Sequence, residues 1–383
     1  VLAKLKKIDI PIVVILLIFM VVSTMAVYSA SYEHPSISVS VSKMLILYAI
    51  GFTAFITVSL FDYRVLLKIT VYMYLTGIIL LVAVYLLVDE INGAKGWFQL
   101  PGGLSFQPAE LVKLILIMTL AAFLSRRGGN ALELKNDLIP AIVIVVVPFT
   151  LVLIQPDLGN AIIFIVILLG MLWIANIRYT QVLIGTAVVV GLGFVFLQLY
   201  GHYHDPLYAY MESKDVEHWA DRIDTFLNPH TVDDDKLFQV KNSIRAIGSG
   251  RLTGDGFLQG NSIHSFLIPL AYSDSIFVVI GEEFGFRGAA ILLLIYFILI
   301  YRMILISIQS VHLSGAYIVV GVVSMYVFQV FENVGMLLGL MPLTGITLPF
   351  ISYGGTSLLI NMLCIGLVMS VKLHQDPDPF SNS

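Results

Sequence analysis

The sequence predicts an all-α polytopic membrane protein: ten transmembrane helices, with a large extracytoplasmic loop between the seventh and the eighth. Three observations carry that expectation. Of 383 residues, 58% are hydrophobic and only 12% charged, whereas an ordinary soluble domain carries roughly 25% charged residues. Mean hydropathy is +0.93. Apolar runs of about 17–25 residues, long enough to cross roughly 30 Å of hydrocarbon, recur along the whole chain. They lack the period-two alternation of a membrane β-barrel, and backbone in lipid must satisfy its own hydrogen bonds, so the runs are helices.

The first run, near 9–29, follows the basic start "VLAKLKKIDIP" and has no small-residue cleavage signature, so it reads as a retained helix. Further runs lie near 43–61, 65–88, 108–125, 138–155, 159–175, 180–199, 275–302, 312–338 and 355–372. Threaded alternately, they bring Lys4, Lys6, Lys7, Arg64, Lys68, Arg126, Arg127, Lys135, Arg178, Arg302 and Lys372 to one side. The positive-inside rule makes that side cytoplasmic, with both termini there. The expectation is a single domain over 1–383, with its one long hydrophilic segment, 200–274, outside. Loops of that length usually serve a function. Within it "LFQVKNSIRAIG" places Phe238, Val240, Ile244 and Ile247 near helical spacing, which suits a short helix either at the interface or packed on the bundle.

Several function classes drop out. The lone Cys364 allows no intramolecular disulfide and argues against a cysteine metal site. A net charge of -4 without a dense basic patch argues against nucleic acid as a partner. Gly248, Gly250, Gly254, Gly256 and Gly260 are spaced for turns and close packing, and they form neither a Walker motif nor a dinucleotide fingerprint.

Ionisable residues inside apolar runs are functional candidates, because burying them is costly. In "FQPAELVKL", Pro108 suits the first turn of a helix, and Glu110 and Lys113, three apart, share a face. They form either a packing ion pair or the lining of a polar cavity. Asp157 in "IQPDLGN" is either a turn residue or a cavity acid. Glu332 and Asn333 fall in the ninth helix, and "PFISYGG" after it reads as a re-entrant element or an ordinary outer loop. "PLAYSDSIFVVIGEEFG" carries Asp274 at the outer edge of the eighth helix, with Glu282 eight residues on, about 12 Å along a regular helix. Asp274 therefore stands alone on its helix. A lone carboxylate there suits a general base for a sugar hydroxyl, aided by a divalent cation, or a proton or cation site of a transporter.

The stretches "GWFQLPGGLSFQPAELVKL", "QPDLGN", "IGSGRLTGDGFLQGNSIHSFLIPLAYSDSIFVVIGEEFGFRG" and "PLTGITLPFISYGGTS" resemble, in order and spacing, the SEDS family, the RodA/FtsW/SpoVE proteins of bacterial elongation, division and sporulation. The resemblance covers nearly the whole chain. It implies a peptidoglycan glycosyltransferase of the bacterial cytoplasmic membrane that polymerises lipid II. The acceptor 4-hydroxyl attacks the donor's anomeric carbon, and undecaprenyl pyrophosphate leaves with inversion. It further implies Asp274 as the catalytic residue, either the base or the ligand of a divalent cation, with Mg or Mn as the cofactor. Glu110, Lys113, Asp157, Ser352, Gly354 and Gly355 are implied in the substrate cavity. A class B penicillin-binding protein is the implied partner. A lipid II flippase and a non-catalytic scaffold are the competing readings. The chain departs from the family pattern at Leu270, Tyr272 and Ser275 around Asp274, with Arg251 where Gly is usual and Asp255 where Lys is usual.

Overall fold

The computed structural model describes residues 7–32, 41–88, 96–100, 104–204 and 234–375, together with 206, 208, 211 and 224. Most of the expected outer loop between 205 and 233 lies outside the described residues. Helices dominate: α1 (Ile10–Ser31), α2 (Val41–Leu60), the short α3 (Tyr63–Lys68), α4 (Thr70–Leu87), α5 (Pro108–Leu124), α6 (Ile139–Ile154), α7 (Leu158–Ile174) and α8 (Tyr179–His202). Then come α9 (Asp234–Ser249), α10 (Asn261–His264), α11 (Ile276–Ile308), α12 (Leu313–Leu337) and α13 (Gly355–Leu373). Nine of these have the length and hydropathy to span a bilayer, and α7 is a shorter apolar helix beside them. Together they account for the ten expected spans. One hairpin, β1 (Phe98–Leu100) with β2 (Leu104–Phe106), pairs Phe98 with Phe106 just before α5.

The core is built by α5, α12 and α13, whose residues are buried on nearly every face. α8 is the opposite case, with Tyr200 its one buried residue. The third run is split: Asp62 caps α3 through the backbone N–H of Arg64, and the chain turns at Ile69 before α4 begins. At one end of the bundle Asp9 receives Arg302 Nη2 at 2.6 Å and Lys372 Nζ at 2.5 Å, joining α1, α11 and α13.

α11 is 33 residues long, about 50 Å at 1.5 Å per residue against a hydrocarbon core of roughly 30 Å. It is broken at Gly285, whose φ of 63° and ψ of -163° are non-helical. The segment 250–256 packs into the break. The N–H groups of Phe286 and Arg287 donate to the carbonyls of Arg251 (2.8 Å) and Leu252 (3.1 Å), and those of Asp255 and Gly256 donate to Glu282 and Glu283 (both 3.0 Å). A Cβ on Gly254 would lie 2.1 Å from the Glu283 carbonyl oxygen, so only glycine permits the approach. The portion from Phe286 onward, 23 residues or about 35 Å, suffices to span. Glu282 and Glu283 then belong to a protein-covered cap above the hydrocarbon. Glu282 accepts from the N–H groups of Ser262 and Ile263, at 2.7 and 3.2 Å, at the start of α10. Glu283 accepts from the Ser29 hydroxyl of α1. Glu282 thus fastens the outer loop, and Glu283 joins α11 to α1.

α9 lies where the helical pattern of "LFQVKNSIRAIG" predicts it and packs on α11 and α12, burying Leu237, Asn242, Ser243 and Ala246. Of the two readings, the packed one describes it. The segment after α12 is re-entrant. Carbonyls of the consecutive residues Pro349, Phe350 and Ile351 accept the hydroxyls of Tyr296, Tyr48 and Ser23. Three side chains from α11, α2 and α1 thereby replace the hydrogen bonds that a broken backbone forfeits.

Candidate functional site

At the end of the bundle opposite Asp9 the chain encloses a cavity of about 380 Å³. Each wall has a local cause. The β1–β2 hairpin delivers Gln107 as the residue before α5, and Pro108 starts the helix, where its missing N–H costs nothing. One turn in, Glu110 reaches the cavity. Its Oε1 accepts from Lys113 Nζ at 2.7 Å, while Oε2 has no partner. Lys113 is only 1% exposed and stands behind Glu110, off the cavity surface. The lysine neutralises Glu110 from the protein side and leaves one oxygen facing the cavity.

Asp157 is the N-cap of α7. Its Oδ1 accepts the Asn160 N–H at 3.0 Å, and Oδ2 accepts Asn160 Nδ2 at 2.8 Å and Gln107 Nε2 at 2.7 Å. The last bond stitches α7 to the start of α5. Both sequence readings of Asp157 therefore hold together: it caps a helix and it lines the cavity.

The opposite wall comes from two irregular segments, 265–275 before α11 and 338–354 before α13. The Tyr353 N–H donates to the Tyr272 carbonyl at 2.9 Å, and the two rings meet edge-on with centroids 6.0 Å apart. Gly345, at a φ of +71°, passes so close to Asp274 that a Cβ there would lie 3.8 Å from Oδ2. Asp274 is half-buried and its Oδ1 has no hydrogen-bond partner. Burial pushes its carboxyl up to about 6, against the opposing pull of the Asp274 and Ser275 backbone N–H groups. This is the poise a general base needs near neutral pH.

Glu110, Asp157, Asp274, Gly354 and Gly355 thus share one cavity. Ser352 does not line it; its hydroxyl accepts the Leu348 N–H at 2.8 Å and closes the turn through which the chain re-emerges. Sequence reasoning missed Gln107 and Asn160, the partners of Asp157, and Trp97, Tyr272 and Thr344 in the wall. Gln107 and Asn160 stood inside quoted motifs, yet nothing in their spacing says that residues 50 apart meet.

No group of three or more His, Cys, Asp or Glu side chains able to hold a metal occurs among the described residues. A hard cation such as Mg needs less, because it keeps its waters and takes one or two carboxylates plus substrate phosphates. The unpartnered Oδ1 of Asp274 fits that donor set.

Fold and site together define a polytopic membrane protein whose acid-lined cavity opens at one end of a ten-helix bundle. The FTSW_RODA_SPOVE cell cycle protein model matches residues 6–376, and the chain belongs to this family. It is 32% identical over 380 residues to stage V sporulation protein E of Bacillus subtilis, covering 96% of this chain and 97% of that protein. It is 32% identical over 361 residues to peptidoglycan glycosyltransferase MrdB of Escherichia coli, covering 94% and 92%. A chain from a solved peptidoglycan synthase complex, in which polymerization and crosslinking are coordinated, superposes with a TM-score of 0.77 at 25% identity, covering 96% of this chain and 99% of that one.

Proposed function

We infer that the protein is a peptidoglycan glycosyltransferase of cell-wall synthesis, the activity its Escherichia coli relative is named for. The observation that carries the reading into chemistry is the unpartnered, half-buried carboxylate of Asp274 inside a polar cavity. Lipid II is the substrate, met at the outer face of the cytoplasmic membrane, with both ends of the bundle's chain path on the cytoplasmic side. The even number of spans and the Asp9–Lys372 ion pair support that arrangement.

In the reaction the acceptor's 4-hydroxyl oxygen forms a bond to the donor's anomeric carbon on the face opposite the pyrophosphate. The bond from that carbon to the pyrophosphate oxygen breaks, its electron pair leaves on undecaprenyl pyrophosphate, and the hydroxyl proton passes to Asp274. The configuration inverts. A divalent cation would offset charge on the pyrophosphate. Glu110 and Asp157, fixed by Lys113, Asn160 and Gln107, orient the sugars by accepting from their hydroxyls. A class B penicillin-binding protein is the partner, as the structural neighbour's coupling of polymerization with crosslinking supports.

A flippase would need polar groups from one leaflet to the other. Inward of Lys113, α5 presents buried Leu114, Ile115, Leu116, Ile117 and Met118, with Thr119 the first polar residue. That favours a cavity with a floor. The test is polymerisation of labelled lipid II by the purified protein with its transpeptidase partner, wild type against Asp274→Ala, with and without divalent cation. Polymer from wild type alone is expected. No polymer from a folded wild-type complex would replace the enzyme reading with the flippase or scaffold.

A further inference from the structure

One turn of α12 carries Gln329, Glu332 and Asn333, all buried, in a helix that is otherwise largely apolar. Polar groups in such a place persist only when their hydrogen bonds repay the burial. Asn333 makes two. Its Nδ2 donates to the carbonyl oxygen of Asp274 and to that of Ile346, each at 2.7 Å. Two carbonyl acceptors require the amide nitrogen at that position, since an oxygen there would face two oxygens. The Asn333 Oδ1 is left with no partner. The side chain thus forgoes its own acceptor to place both donors.

The two acceptors sit in different connections, 59 residues before Asn333 and 13 after it. These are the two segments that build one wall of the cavity side by side, Asp274 in one and Gly345 beside Ile346 in the other. Glu332, the neighbour on α12, reinforces the second, because its Oε1 accepts the Thr344 hydroxyl at 2.9 Å. Fixing the carbonyl of Asp274 fixes its peptide plane, and with it the direction in which the side chain leaves the backbone. A leucine at 333 would fill similar space and leave two carbonyls without a donor.

We propose that Asn333 is a positioning residue of the reaction: its amide bridges the segment before α11 to the segment before α13 and so fixes where the Asp274 carboxylate enters the cavity beside Gly345. The proposal rests on the reading of Asp274 as the base. Asn333 itself touches no reacting atom and acts through the geometry it imposes.

The test uses the full chain with its transpeptidase partner and lipid II, comparing wild type with Asn333→Leu. The expected result is a fall in kcat of about 10–100-fold, as a misplacement near 1 Å produces, with KM within about threefold. An unchanged kcat per folded molecule, or a KM that rises by as much as kcat falls, would overturn the proposal and leave Asn333 a packing residue. If Asn333→Leu does not fold, Asn333→Ser, which admits water instead of burying apolar atoms, takes its place with the same expectations. A second measurement needs no activity. Asp274→Asn should change Tm by unequal amounts in the wild-type and Asn333-variant backgrounds, whereas equal changes in both contradict the proposal. A wild type that makes no polymer would defeat the enzyme reading, and the unfolding comparison would still decide whether Asn333 governs Asp274.

Discussion

Two aspartates mark opposite ends of this bundle, and they are treated in opposite ways. Asp9 is 2% exposed and carries Arg302 and Lys372 on its carboxylate. Burial pushes its carboxyl up, but the two cations more than offset that and hold it below the usual range. Asp274 is half-buried with no cation, and burial alone lifts it to about 6. A paired carboxylate has no capacity left for a proton, so Asp9 can only hold α1, α11 and α13 together. The unpaired one costs stability and keeps its reactivity. The same side chain thus serves architecture at one end and chemistry at the other, and the difference lies in what surrounds it.

The largest expected effect separates them by activity. Asp274→Ala should lower the initial rate of glycan polymerisation by about 10²–10⁴-fold, the usual contribution of a general base, with the monodisperse folded fraction unchanged in gel filtration. The next separates them by stability. Replacing Arg302 and Lys372 together with Met leaves Asp9 charged and buried, at a cost of about 3–5 kcal/mol at neutral pH. Thermal unfolding reads that loss. Because the folded carboxyl of Asp9 lies below its unfolded value, the wild-type pairing contributes fully above the ordinary aspartate range and is lost as pH falls through the folded value. The Met variant should therefore converge on wild type in acid.

Asp274 has the reverse sign. Its folded carboxyl is raised, so the penalty for ionising it is fully present above pH 6 and absent below about 4. Asp274→Asn should stabilise the protein by about 2 kcal/mol at pH 8 and by nothing at pH 4, a gain in stability bought with loss of function. Denaturation midpoints at the two pH values check it. The smallest effect calibrates the scale away from both ends. Arg251 sits at a φ of +47°, where a side chain is strained, so Arg251→Gly should raise stability by about 0.5–1 kcal/mol without changing the polymerisation rate.

Most of the fold was legible because a hydrocarbon solvent allows few solutions. Ten apolar runs gave ten helices with ends displaced by a few residues, and the pattern of α9 gave its helix but not its buried face: Leu237, Asn242, Ser243 and Ala246 are buried, whereas Phe238 and Ile244 are exposed. The break in α11 was not legible. Gly285 stands in a stretch whose apolar residues read as one continuous span across Glu282, Glu283 and Arg287, and what breaks the helix is the segment 250–256, thirty residues away, offering its carbonyls and N–H groups in exchange. Glu282 and Glu283 consequently read as acids at membrane depth when one ties down the outer loop and the other holds α1. The site was half legible. Glu110, Asp157 and Asp274 announced themselves as charges in apolar surroundings, and their convergence on one cavity gives that signal its meaning. Neutral residues that organise the acids, such as Gln107 and Asn160, gave no comparable signal, because an amide becomes informative only when its partners are known.

The most direct measurement is the pH dependence of lipid II polymerisation between pH 5 and 8, at fixed divalent cation, for wild type and Asp274→Asn. A wild-type rate that halves near pH 6 and falls about tenfold per unit below it, with the variant inactive throughout, is the expected result. A wild-type profile flat across that range, or a variant that polymerises at the wild-type rate, would show that the unpaired carboxylate of Asp274 is not the base.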